Sequence, residues 1–154
     1  MSFYSFDTTS LLNGRRDLFR PSSFPGVWER IEEEIGSLVL CVDEVRFELL
    51  HRDDEVSAWA RSQTGLFVPL DEDIQESVAV VLSQSRRLIS IGKGRSAADP
   101  WVIALALARG GVVVSEELKG SIQRPKIPEA CDAVGVRCIS LADFVEEQGW
   151  VFDR

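Results

Sequence analysis

The chain has a single histidine, three cysteines and no long apolar run, and each shortage removes a class of function. His51 stands alone beside Arg52-Asp53-Asp54. A histidine-based triad or a zinc site needs partners that the chain does not supply, so His51 is expected in a loop or at the surface. Cys41, Cys131 and Cys138 make an odd count with no CxxC spacing. They read as reduced thiols packed as small apolar groups, not as a disulfide framework or a metal knot. The longest apolar run, Trp101–Ala108, is too short to span a membrane. No basic segment followed by an apolar one opens the chain, so no signal peptide is expected, and the cytoplasm is the expected compartment. Basic residues are also scarce: 17 Lys and Arg against 25 Asp and Glu give a net charge of −8. That excess argues against broad electrostatic binding to nucleic acid. It leaves room for an enzyme whose acids gather around cations, because bound cations reverse the local field. Gly92-Lys93-Gly94-Arg95 lacks the Walker pattern GxxxxGK[ST], which excludes nucleotide binding of that type. With no linker, repeat or low-complexity tract, residues 1–154 are expected to form a single domain.

What is present is most informative between Arg95 and Glu117, RSAADPWVIALALARGGVVVSEE. An apolar helix is predicted from Asp99 to Arg109, followed by Gly110-Gly111 and a β-branched strand, Val112–Val114, which runs into Ser115, Glu116 and Glu117. About ten helical residues at ~1.5 Å each and about five extended residues at ~3.3 Å each have matching lengths. If the two pack antiparallel, Asp99 and Glu116/Glu117 finish on the same edge, that of the strand carboxyl ends, where α/β proteins place ligands. The plainer alternative makes Asp99 a helix cap and the glutamates a solvated loop.

The rest of the chain alternates in the same way. Phe3–Phe6 reads as a strand stopped by Asp7, and Val27–Ile35 as a helix with Trp28, Ile31 and Ile35 on one side. Leu38–Val42 is ambiguous between strand and helix, and Asp43 suits an N-cap for a helix over Val45–Leu50. A short helix, Val56–Arg61, a strand, Leu66–Leu70, and a long helix, Ile74–Leu88, follow. The C-terminal part repeats the pattern with a helix over Pro128–Val134, a strand over Val136–Ser140 and a helix over Leu141–Gln148. Apolar strands separated by helices, with no hairpin signals, predict an α/β fold with a mostly parallel sheet and helices on both faces.

The acids fall at strand ends. Asp7 follows the first strand, Glu44 and Glu48 lie four apart on one helix face, Asp99 opens a helix, and Glu116/Glu117 end a strand. Gathered carboxylates are expected to raise each other's pKa unless cations neutralise them. Hard oxygen ligands suit Mg²⁺ or Mn²⁺, and such a site hydrolyses phosphodiesters well.

At these residues the chain resembles the PIN-domain superfamily of metal-dependent nucleases. The family's early strand ending in Asp and followed by Thr/Ser is matched by FDTTSLL, and its glutamate on a later helix by DEVRFELL. Its Asp opening an apolar helix is matched by AADPWVIALALA, and its strand ending in Thr/Ser-x-Asp by VVVSEE. The resemblance covers these four blocks in order and nearly the whole chain. It implies a PIN-like α/β fold with about five strands, and a metal-dependent endoribonuclease, hence a hydrolase. Asp7, Glu48, Asp99 and Glu117 match the acidic quartet, with Asp7, Asp99 and Glu117 as metal ligands for Mg²⁺ or Mn²⁺. Thr9 and Ser115 match the hydroxyls near the first and last acids. The fourth acid is Glu where the family more often has Asp, so Glu116 competes with Glu117, as Glu44 does with Glu48. Small members of this family act as toxins of toxin–antitoxin pairs. The resemblance therefore implies an RNA substrate and a cognate antitoxin as partners, allows a homodimer, and leaves no role for a membrane.

Other candidates have plainer readings beside them. Lys93 and Arg95 are candidates for contacts to the RNA backbone, or belong to a plain loop. Arg15, Arg16 and Arg20 either position phosphates or are solvated, the second being preferred. Asp71 and Asp73 read as caps before they read as part of the acidic edge. Trp28, Trp59, Trp101 and Trp150 read as core residues before base-stacking platforms. Glu32-Glu33-Glu34 reads as an exposed helix face. Three rivals to a nuclease stand: an acid-edge phosphatase, a PIN-like fold degraded to a binding or regulatory module, and a fold in which every acid is a cap or surface charge. A haloacid-dehalogenase-type phosphatase needs a second Asp two residues after the nucleophile, where this chain has Thr9.

Overall fold

The computed structural model describes residues 3–52, 54–85, 97–120 and 126–152. Five strands form one sheet in the order β3-β2-β1-β4-β5: β1 (Tyr4–Phe6), β2 (Val39–Val42), β3 (Phe67–Val68), β4 (Val112–Val114) and β5 (Cys138–Ile139). Every pairing is parallel, with Tyr4 opposite both Val39 and Val112, and Val42 opposite Val68. The predicted α/β class with a parallel sheet and intervening helices is therefore observed. Those helices are α1 (Thr8–Asn13), α2 (Pro25–Glu33), α3 (Asp43–Leu50), α4 (Glu55–Ser62), α5 (Glu72–Gln84), α6 (Asp99–Arg109), α7 (Ile127–Ala133) and α8 (Leu141–Glu147).

Local chemistry explains the boundaries. The α6–β4 unit keeps the limits read from the sequence because both ends are punctuated. Gly110 closes α6 with a left-handed φ of 72°, and a Cβ on Gly111 would fall 2.7 Å from the Phe3 ring. The first position needs a conformation that glycine adopts without strain, and the second needs its lack of a side chain. The ambiguous Leu38–Val42 run resolves as a strand, buried between β1 and β3.

Three expectations are corrected. The strand expected over Leu66–Leu70 is only Phe67–Val68, since it lies at the sheet edge and Pro69 has no N–H to continue the ladder. The strand expected over Val136–Ser140 likewise shortens to Cys138–Ile139 at the opposite edge, where Ser140 leaves to cap α8 through the Asp143 N–H. Asp43 is not an N-cap: Val42 holds that position, and the Asp43 carboxylate accepts from Arg46 Nε at 2.9 Å. Asp71, by contrast, does cap a helix, accepting the Ile74 N–H at 2.9 Å while also pairing with Arg109. The predicted end of that helix, Arg86–Leu88, lies outside the described residues.

The core follows the sheet. Phe6, Leu11, Trp28, Ile31, Val39, Ile103 and Phe144 are buried, and Phe144 meets Tyr4 and Phe6 edge-on at 4.7 and 5.0 Å. Trp28 and Trp59 are buried and Trp101 and Trp150 partly so, as expected of core tryptophans. Cys41 and Cys131 are buried free thiols and Cys138 is half-buried. His51 and Asp73 are exposed. Among the described residues no helix is long and apolar enough to cross a membrane.

The strand order has one consequence for function. The chain steps outward from β1 through β2 to β3, then crosses back to build β4 and β5 on the other side of β1. Direction reverses between β1 and β4, which makes their carboxyl ends the switch point at which α/β folds place ligands. Asp7 leaves β1 there, and Ser115 leaves β4.

Candidate active site at the carboxyl edge of the sheet

Asp7 sits at this switch point and is buried. Its N–H donates to the Val114 carbonyl at 3.1 Å, which continues the β1–β4 ladder one step past the strands. Its extended backbone makes it the N-cap of α1, and Oδ1 accepts the Ser10 N–H at 2.8 Å. Two hydroxyls complete the grip. Thr9 Oγ1 donates to the carboxylate at 2.9–3.0 Å, and Ser115 Oγ donates to Oδ2 at 2.5 Å. Each hydroxyl also accepts from the loop beyond β4, Thr9 from the Glu116 N–H at 3.1 Å and Ser115 from the Glu117 N–H at 3.0 Å. The two hydroxyls thus lash the ends of β1 and β4 together through one carboxylate.

Burial pushes the Asp7 carboxyl up to about 6, against the opposing pull of its hydrogen bonds from Ser115, Ser10 and Thr9. The sequence suggested that neighbouring acids would raise one another; the cause here is desolvation, and the donors that hold Asp7 are all neutral. A carboxylate taken out of water without a cationic partner among the described residues is a costly arrangement for structure alone.

The other sequence-derived candidates surround this point at varying distance. Glu48, half-buried on the second turn of α3, accepts the hydroxyl of Thr8, the residue next to Asp7. Glu44 is half-buried one turn earlier on α3. Asp99 is the first residue of α6 and only 5% exposed; the cap position is Ala98, so the reading of Asp99 as the cap fails. The Ser5 hydroxyl donates to the Val102 carbonyl at 2.8 Å and binds the first turn of α6 to β1.

Glu116 and Glu117 point to different tasks. Glu116 Oε2 accepts the Leu141 N–H at 2.7 Å, placing a negative charge on the positive end of α8. Glu117 lies 3.9 Å from Lys126 Nζ. Lys126 is held by its own backbone, whose N–H donates to Glu129 Oε1 at 2.9 Å, as does the Gly120 N–H at 2.7 Å. Sequence reasoning missed Lys126; nothing in its spacing marks it, because Glu129 brings it in across a loop.

Asp7, Glu48, Asp99 and Glu117 therefore occupy one edge of the sheet, and their oxygens are the hard donors that a Mg²⁺- or Mn²⁺-type cation takes. Among the described residues no three His, Cys, Asp or Glu side chains converge at metal-ligand distance. The donor chemistry fits a divalent cation, and the buried, neutrally bound Asp7 supplies the charge to attract one.

One expectation fails, that of a solvated Arg15, while Arg16 and Arg20 are exposed as expected. Arg15 is not solvated: its guanidinium lies 4.7 Å from the centroids of both Trp28 and Trp59 and pairs with Glu55. Arg16 pairs with Asp54 at 2.6 Å. Lys93 and Arg95 lie outside the described residues.

Comparison with known proteins agrees with this architecture. The structure is similar to that of DNA-bound VapBC from Salmonella typhimurium, with a TM-score of 0.58, 16% identity, and 91% of this chain and 98% of that chain covered. It is also similar to FitAcB from Neisseria gonorrhoeae, with a TM-score of 0.51, 16% identity, and 89% and 96% covered. At these identities the likeness is one of fold, and the fold is PIN-like. No curated protein matches the sequence. A family model described as "Domain of unknown function (DUF4411)" matches residues 4–152, and the chain belongs to that family.

Proposed function

We propose that the protein is a metal-dependent endoribonuclease and serves as the toxin of a type II toxin–antitoxin pair in the cytoplasm. One observation carries the reading: a buried carboxylate, Asp7, sits at the point where strand order reverses and, among the described residues, is gripped by neutral donors. The PIN-like fold and its likeness to VapBC and FitAcB support the same reading, as does the presence of Glu48, Asp99 and Glu117 on the same edge.

Asp7, Asp99 and Glu117 would hold the cation. Bound there, Mg²⁺ or Mn²⁺ supplies an activated water and charge neutralisation at the scissile phosphate. The remaining work belongs to the chain. Ser115 and Thr9 fix both oxygens of Asp7 before substrate arrives, so no reorganisation is needed there during reaction. Glu48 stands beside Asp7 through Thr8 and is suited to orient the attacking water in line with the leaving oxygen. Lys126, beside Glu117, is placed to meet phosphate charge. RNA is the substrate and a cognate antitoxin the controlling partner, with a homodimer as the form that carries them.

The test is incubation of the purified protein with labelled structured and unstructured RNAs in Mn²⁺, Mg²⁺ or EDTA, beside Asp99→Asn. Metal-dependent cleavage that disappears in a soluble mutant is the expected result. Full metal-dependent activity in that mutant overturns the assignment. A second reading, a PIN-like module that binds without cleaving, is favoured by two facts: Glu117 meets Lys126, and no three His, Cys, Asp or Glu side chains converge among the described residues. Calorimetry separates the two, since a degraded site takes up little Mn²⁺.

A further inference from the structure

We propose that a pocket between the turn that follows α1 and the start of α4 binds a small phosphate monoester. The inference goes beyond the nuclease reading and does not depend on it, since none of Asp7, Glu48, Asp99 and Glu117 lines the pocket.

The pocket has a volume of about 380 Å³. The segment after α1 contributes Arg15, Arg16, Arg20 and Ser22, and the start of α4 contributes Asp54 and Glu55. Three arginines from one short segment reach the same place because the chain loosens after α1. Gly14–Leu18 is π-helical, closed by the Phe19 N–H donating to the Gly14 carbonyl at 2.7 Å. Such turns are rare and recur at functional sites. Arg20 folds back on this turn, with Nε donating to the Arg16 carbonyl at 2.7 Å, so its guanidinium is positioned before any ligand arrives.

The distribution of donors favours an anion. Both acids are already committed: Asp54 accepts the Ser57 N–H at 3.0 Å and Arg16 Nη2 at 2.6 Å, and Glu55 accepts from Arg15. The arginines keep donors in excess. Arg20 makes no ion pair among the described residues, and Arg16 gives only Nη2 to Asp54. Beside them the Arg15 side chain is 6% exposed, and its Nη1 is buried with no hydrogen-bond partner among the described residues. Its counter-ion, Glu55, is 57% exposed, so water screens the pair and the wall stays positive. Three arginines against two acids leave one net positive charge, on a chain whose total is −8.

The same lining selects among anions. A guanidinium fork matches phosphate oxygens two at a time. One surplus positive charge suits a single compact anion and not a polyanionic strand. No aromatic ring among the described residues lines the pocket for a base to stack on. Pro21 and the methylene stems of the arginines offer an apolar floor for a short carbon body, and the volume lies within the range of small-molecule sites.

Calorimetry and thermal unfolding of the full-length protein would be recorded in EDTA with orthophosphate, glycerol phosphate, ribose phosphate and the uncharged glycerol and ribose. EDTA keeps metal-bridged phosphate away from the acidic edge. Both esters are expected to bind and raise Tm, several-fold more tightly than orthophosphate because their carbon covers the floor, and the uncharged compounds to give no signal. Arg20→Ala and Arg16→Ala are each expected to weaken ester binding about tenfold, with Arg20→Lys in between because it keeps the charge and loses the fork. A short RNA oligomer with hydroxyl ends is expected not to displace the ester. Unchanged ester affinity in both alanine variants, each folded by circular dichroism, overturns the site, and so does the absence of binding by either ester at millimolar concentration. Equal affinity for orthophosphate and the esters overturns the proposal in favour of a plain anion site, and displacement by the oligomer overturns it in favour of a stretch of RNA-binding surface. Ester binding by a protein that cleaves no RNA sinks the nuclease reading alone.

Discussion

Two of the charged residues buried among the described residues, Arg15 and Asp7, are treated in opposite ways. Arg15 meets two indole rings and a carboxylate from Glu55, with a side chain only 6% exposed. Its charge has a counter-ion inside the fold, although Nη1 is buried with no hydrogen-bond partner among the described residues. Asp7 is buried as deeply but is held by a serine, a threonine and a backbone N–H, which fix its position without cancelling its charge. The first arrangement is what structure requires of a buried ion. The second leaves a negative charge oriented and unanswered at the point of the sheet where α/β folds bind ligands. A buried charge with a counter-ion is a staple; one with only neutral donors points to a missing partner.

Replacing each charge should separate the two roles, and the largest effect is expected at Arg15. Arg15→Ala leaves a cavity between the two tryptophans and is expected to lower stability by about 3 kcal/mol in urea unfolding, with no change in cleavage per folded molecule. Arg15→Met keeps most of the packing and is expected to lose about 1 kcal/mol, because Glu55 is exposed enough to be solvated. A loss of cleavage from Arg15→Met without unfolding would erase the distinction.

Ser115→Ala should sharpen it from the other side. The Ser115 hydroxyl lowers the Asp7 pKa, so its removal raises that value further above about 6. Cleavage is expected to fall about tenfold near neutral pH, with the acid limb of the kcat/KM profile moved to higher pH. The smallest effect is expected at Glu116. Glu116→Gln should cost about 0.5 kcal/mol through the weakened interaction with the start of α8 and leave cleavage almost intact. Glu117→Gln should keep stability and lose cleavage.

The two buried charges were not equally legible in the sequence. Asp7 stands at the junction of an aromatic strand and a Thr-Thr-Ser helix start, a local pattern that survives in the structure with its hydroxyl partners Thr9 and Ser115. The Asp99–Arg109 helix and the Val112–Val114 strand were legible for the same reason, since glycines and acids punctuate them within the segment itself. Arg15 was not, because its surroundings come from α2 and α4, distant in sequence, and its neighbours Arg16 and Arg20 made it look like part of a surface cluster. The edge strands β3 and β5 were read too long, since apolar residues continue past the point where pairing stops. Local chemistry is written locally; the partners of a side chain that reaches across the fold are not.

The most direct measurement concerns the unanswered charge. The native state keeps a proton on Asp7 up to about pH 6, whereas a carboxyl with the ordinary value of 3.8 has already released it in the unfolded chain. Between those values stability therefore falls as pH rises, by an amount on the order of 3 kcal/mol, and above about 6 the loss is complete. A cation bound at Asp7 removes that loss by neutralising the ionised form. Thermal unfolding would be recorded at pH 5 and pH 8, with and without Mn²⁺, for the wild type and for Asp7→Asn. The expected result is a Tm increase with Mn²⁺ at pH 8 in the wild type, little at pH 5, and none in Asp7→Asn. An equal Mn²⁺ shift in both proteins, or no shift in either, would contradict the claim that Asp7 waits for a metal.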